Sequence, residues 1–144
     1  MRMNKTKLLL LSVLISGLIS SSCSDYEDRE IIQNTYTGNI DVTSGGVDPA
    51  GDFTGNGNSG GFTFAWMNPQ TTASANFDIT TTAGSVQMIV RDSEETIVID
   101  QTLVAGGEDS YSGVSSIGVE GMWTVEIILV DFNGDGSYSL HPGN

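Results

Sequence analysis

Residues 121–130 read GMWTVEIILV. Trp123, Val125, Ile127 and Leu129 fall on alternate positions, with Thr124 and Glu126 between them. Successive side chains of a strand point to opposite faces, so this spacing predicts a β-strand with one apolar face. Downstream, Tyr138 and Leu140 repeat the pattern at the end of the chain. Upstream, Val86, Met88 and Val90 do so, as do Ala73, Ala75, Phe77 and Ile79, then Phe62, Phe64 and Trp66, and Tyr36, Gly38, Ile40 and Val42. Ile97 to Val104 forms another strand, and Tyr111 to Val114 a short weak one. Beyond residue 23 no stretch carries apolar residues at helical spacing over three turns.

About eight short strands, separated by Gly-, Asn- and Asp-rich segments, predict an all-β fold: an antiparallel sandwich or jelly roll. Roughly 110 residues suffice for one two-layer core. The expected core is Phe62, Phe64, Trp66, Phe77, Ile79, Val86, Met88, Val90, Ile97, Ile99, Trp123, Val125, Ile127, Leu129 and Leu140. Trp66 and Trp123 are in phase with it, which argues against their serving as exposed platforms for sugar rings. The run from Gly121 to Val125 and on through Tyr138 to Leu140 resembles the last strands of jelly-roll domains appended to secreted bacterial proteases. That resemblance implies a sandwich and transfers no site.

Residues 44–61 (SGGVDPAGDFTGNGNSGG) hold seven glycines in 18 positions. Such a segment loses much entropy on ordering and offers little to pack, so a loop between the first two strands is expected. Asp48 and Asp52 within it would repel phosphate, which excludes a nucleotide cradle.

Residues 131–138 (DFNGDGSY) match the front of a D-x-[DN]-x-[DN]-G calcium loop, with Asp131, Asn133 and Asp135 as candidate oxygen ligands. Position 12 of that loop would be Pro142 rather than a bidentate Glu. The same residues also read as a hairpin turn, since Asn-Gly and Asp-Gly are favoured turn dipeptides. Both readings stand at this point. Asp92-Ser93-Glu94-Glu95 reads as an ordinary polar hairpin turn.

The N-terminus is an address. Residues 1–7 carry Arg2, Lys5 and Lys7 and no acid; Leu8 to Ile19 is apolar except for Ser12, Ser16 and Gly17; Ser20, Ser21 and Ser22 follow. This is the layout of a secretory signal peptide, and it is shorter than the roughly 20 apolar residues of a membrane span. Cys23 is the only cysteine, which also excludes an internal disulfide or a Cys-based zinc site. Through Leu18 to Cys23 the chain resembles a bacterial lipoprotein precursor. The resemblance implies cleavage before Cys23, acylation of its thiol and a membrane anchor, with the outer membrane as the destination. Ser20 stands where that family prefers Leu, and Ser20-x-Ser22 also fits the exit of an ordinary secreted protein.

Four of the seven residues after Cys23 are acidic. Asp25, Glu27 and Asp28 resemble the acidic export signal behind the lipidated Cys of surface lipoproteins in some Gram-negative bacteria; a solvated tether reads the same way. The expected organisation is a signal peptide at 1–22, the attachment Cys and acidic tether at 23–34, and the sandwich at 35–144.

All 18 acids lie beyond Cys23, against only Arg29 and Arg91. A body so depleted of positive charge excludes a nucleic-acid partner. The lone His141 has no Cys partner once Cys23 is an anchor, and no nucleophile elbow is present. The expected function is an exported, lipid-anchored, non-catalytic module, structural or binding, at the cell envelope, without a cofactor. The alternative is a calcium-dependent adhesion or glycan-binding module, and a small hydrolase is the remote third.

Overall fold

The computed structural model describes residues 31–45 and 48–144. Seven strands run β1 (Ile31–Asn34), β2 (Asn39–Gly45), β3 (Asp48–Asn68), β4 (Ala73–Arg91), β5 (Ile97–Val104), β6 (Ser110–Val114) and β7 (Gly121–Pro142). Every pairing is antiparallel. No helix occurs among the described residues.

The long strands β3, β4 and β7 each belong to both layers. In the first layer, β2 pairs with residues 48–54 of β3, these pair with the C-terminal half of β7, that half pairs with residues 73–81 of β4, and β6 closes the edge. In the second layer the order is β1, residues 60–68 of β3, the N-terminal half of β7, residues 85–91 of β4, and β5. The result is an all-β antiparallel sandwich, wrapped in the jelly-roll manner.

The passage from one layer to the other is made at one transverse bend. Pairing slips there between Asn56 and Gly60 on β3 and between Thr81 and Ser85 on β4. Bulges of this kind add local twist and let a strand turn a corner. Gly84, at φ 86°, is in the left-handed region, and a Cβ there would run into the carbonyls of Val130 and Asp131. Asp131 itself has φ 47°. Side chains tie the corner together: Asp131 N–H donates to Ser59 Oγ at 2.8 Å, Thr81 Oγ1 donates to the Asn133 carbonyl at 2.8 Å, and Asn133 Nδ2 donates to Thr82 Oγ1 at 2.9 Å.

Several expectations change here. Residues 48–61 are strand rather than loop, although glycine-rich, because β2 and β7 pair with them on both sides. The 73–79 and 86–90 runs form one strand, as do the 123–129 and 138–140 runs. Residues 131–138 do not form a hairpin turn; they are the bend and second half of β7. Residues 31–34, expected to be tether, form β1 and pair with β3.

Between the layers lies one core. Every residue of the expected core is buried except Ile97, which is 46% exposed. A register shift between Val90 and Arg91 puts Val98 and Ile99 inward in its place. Phe53, from the segment expected to be a loop, joins the core, as do Phe132 and Tyr138 on either side of the bend in β7. Phe53 of the first layer packs against Phe62 of the second at 6.4 Å between centroids, and Tyr138 stacks on Phe64 at 5.5 Å. Gly136 leaves the space that the Phe53 ring fills. Trp66 and Trp123 meet edge to face at 5.8 Å, an arrangement aromatic quadrupoles favour.

Candidate functional site

A shallow groove of about 400 Å³ opens on the outer face of the second layer, beside the bend. Gln33 of β1, Thr35 just after it, Ser59, Gly60, Gly61 and Thr63 of β3, and Glu126, Ile128, Leu129 and Val130 of β7 surround it. Strand alternation explains the composition. Phe62, Phe64, Ile127 and Leu129 turn inward, so Gly61, Thr63, Glu126 and Ile128 face out on the neighbouring positions. Gly61 is in register with Ile128 and Thr63 with Glu126. The missing side chain at Gly61 leaves a slot walled on one side by Ile128.

Some of the polar groups here hold the scaffold. Thr35 Oγ1 donates to the Gly61 carbonyl at 3.2 Å and accepts from Gly61 N–H at 3.0 Å. Ser59 Oγ donates to Asp131 Oδ1 at 3.2 Å. The Gln33 amide, the Thr63 hydroxyl and the Glu126 carboxylate stand around the opening. Arg91 Nη2 is 3.9 Å from Glu126 Oε2, a loose and partly exposed pair.

The ionisable groups with displaced pKa serve the scaffold. Asp92 sits in the turn between β4 and β5, 2% exposed. Burial alone would raise its carboxyl, but backbone N–H groups of Thr96, Val119 and Glu94 donate to it and hold it below its ordinary value. Burial pushes the Tyr138 phenol upward, reinforced by the charges of Asp41 and Asp52. Burial also raises the Tyr36 phenol, which donates to the Thr54 carbonyl at 2.9 Å.

The candidate ligands Asp131, Asn133 and Asp135 follow one another along the bend of β7. Asp131 and Asn133 are tied to Ser59 and Thr82 at the bend, and Asp135 lies in register with Thr54 and Thr80 on the first layer. Among the described residues no group of three or more acidic, His or Cys side chains is arranged to hold a metal ion. Cys23, Asp25, Glu27 and Asp28 lie outside the described residues. His141 Nδ1 is 3.4 Å from Asp48 Oδ1, and His141 stands opposite Ser74 in register. This Ser–His–Asp row crosses three strands away from the groove, and both members of its His–Asp contact are about half exposed. The groove residues escape a reading of the sequence because Gln33, Gly61 and Glu126 meet only through strand pairing. The Gly60-Gly61 pair directly before an alternating strand was the available signal.

No protein-family model matches the chain, and no curated protein matches it. Among solved structures, it is similar to the module TmCBM61 in complex with β-1,4-galactotriose, at 14% identity and a TM-score of 0.46, covering 80% of this chain and 92% of that one. It is also similar to the carbohydrate-binding module CBM6cm-2 from Cellvibrio mixtus lichenase 5A in complex with cellotriose, at 9% identity and a TM-score of 0.43, covering 79% and 92%. A third similarity is to the enzymatically active domain of tailspike protein 4 from bacteriophage CBA120, at 12% identity and a TM-score of 0.46, covering 74% of this chain but only 18% of that one. These likenesses are too distant to carry a ligand or a residue role to this chain. The sandwich is established by its own strand pairing.

Proposed function

We propose that this chain is an exported, lipid-anchored, non-catalytic binding module whose groove takes a neutral, hydroxyl-rich ligand of the glycan class. The groove carries the reading. Its volume lies in the range of small-ligand sites. Its opening combines an amide, a hydroxyl and a carboxylate with one aliphatic wall, the mixture that suits the hydroxyls and C–H face of a sugar ring. Glu126 accepts hydrogen bonds from hydroxyls and repels anionic ligands. The charged start, apolar run and Cys23 support export and anchoring at the outer membrane.

A glycan array followed by calorimetry on the best neutral oligosaccharide tests the ligand. Gly61→Val, which fills the slot, should weaken binding at least about tenfold, and Thr63→Ala and Glu126→Gln should each weaken it with an unchanged melting temperature. Absence of any glycan binding, or full binding by all three variants, would overturn the reading. For the anchor, Cys23→Ala should move the protein from the membrane fraction to the soluble one, and equal partitioning of both forms would refute it. Neutralising Asp25, Glu27 and Asp28 should remove protease accessibility on intact cells if they act as an export signal.

A further inference from the structure

One end of the sandwich gathers apolar side chains. Among the described residues eight large apolar side chains are exposed, and six lie at this end: Met67, Ile97, Val114, Ile117, Val119 and Met122. Met67 and Met122 face each other in register where β3 ends and β7 begins. Ile97 opens β5 opposite Arg91, and Val114 closes β6 opposite Ser74. Ile117, 81% exposed, and Val119 belong to the 115–120 connection that crosses this end.

That connection is fixed in place. Gly118 N–H donates to the Thr71 carbonyl at 2.8 Å, Ser116 N–H to the Val98 carbonyl at 3.0 Å, and Val119 N–H to Asp92 Oδ2 at 2.9 Å. The Trp123 indole donates to the Val119 carbonyl at 2.7 Å. A loop tied at four points holds its apolar residues outward, although burying them would be favourable.

The chain also enters at this end. β1 runs antiparallel to β3, and Ile31 pairs with Phe64, three residues short of Met67. Ile31 is therefore the residue of β1 nearest the apolar end. Cys23 is eight residues upstream, a span of at most roughly 26–29 Å.

We infer that this end rests on the lipid surface to which the chain is anchored, with Ile117, Val119 and Met122 entering the headgroup region; the inference rests on the anchor proposed above. Few apolar side chains bind a bilayer weakly, but attachment through Cys23 supplies a high effective concentration. The exposed acids Glu94, Glu95 and Glu120 at the same end make zwitterionic lipid the favoured surface and weaken docking on anionic lipid. The groove beside the bend, at the other end of the second layer, is thereby held away from the membrane.

The test uses the full-length acylated protein in phosphatidylcholine vesicles. Flotation with the vesicles reads the anchor by itself. With Cys23 acylated, Ile117→Cys and Thr82→Cys each supply a single free thiol for a fluorophore, one at the apolar end and one at the bend. Spin-labelled lipid should quench the label at 117 at least about threefold more than that at 82, as insertion by 5–10 Å requires. Replacing a third of the lipid with phosphatidylglycerol should reduce the difference. Flotation with equal quenching at both positions overturns the docking and leaves the anchor standing. Loss of flotation overturns the anchor and the docking with it. Protection of the 117 label that depends on protein concentration rather than lipid would assign this end to a second copy and overturn the inference.

Discussion

The two outer faces of the sandwich are built from the same strands and differ in kind. Across the first layer, one row of outward residues runs Asp41, Asp52, Ser137, Asp78 and Ser110. The corresponding row of the second layer runs Gln33, Thr63, Glu126, Ile89 and Asp100. The first is short, polar and acidic, with Asp41 directly opposite Asp52. The second mixes an aliphatic residue, an amide and a carboxylate near Arg91, and it holds the groove. Inside, the order reverses: the second layer supplies the tryptophan pair, while the first contributes Phe53, Phe77 and Tyr138. Strand alternation therefore lets one segment of chain meet opposite demands on its two faces, and the second layer combines a heavy inner face with an outer face that carries the groove.

The sharpest way to break this division is at the tryptophans. Trp123→Ala removes the edge-to-face pair and the Val119 tie, and should cost roughly 3–5 kcal/mol, more than Phe77→Ala in the first layer. Urea melts of both variants check the order, and a smaller loss at Trp123 would mean that the layers share the load evenly. The corner joining the layers comes next. Gly84→Ala places a Cβ against two carbonyls at positive φ and should cost about 2 kcal/mol or more by the same measurement. A neutral result would show that the corner is loose.

Asp92 gives a pH test confined to the turn at the end of the second layer. Its folded pKa lies below its unfolded one. The stability it contributes is therefore fully present above the unfolded value, about 4, and is lost as pH falls through the folded value. Wild-type melting temperature should drop over that acid window more steeply than that of Asp92→Asn, which should already melt lower at neutral pH. Parallel curves would contradict this. The smallest effect lies on the first layer's outer face. Asp52→Asn relieves the like-charge pair and should stabilise by about 0.2–1 kcal/mol at low salt, fading at high salt. Glu126→Gln, next to Arg91, should bring no such gain.

Much of this architecture was legible in the sequence. Alternation at Phe62–Trp66, Phe77–Ile79, Val86–Val90 and Trp123–Leu129 identified the strands and nearly all of the core, because burial on one face leaves a period of two. The bend was not legible. Turning a corner between layers needs bulges and left-handed residues, so Gly57, Gly60, Gly84 and Gly134 resemble the punctuation of hairpins. Phe53 and Phe132 do not stand out as core residues for that reason, flanked as they are by residues that read as loop or turn. The groove was hidden for a different one: its polar groups come from strands far apart in sequence, and nothing local marks Gln33 or Glu126 as neighbours of Gly61.

Three polypeptide segments thread both layers without interruption. Neither layer can melt while the other persists, because each owns half of the same strands. Unfolding should thus be all-or-none. Assembly must wait until distant stretches find one another, placing folding on the order of milliseconds to seconds.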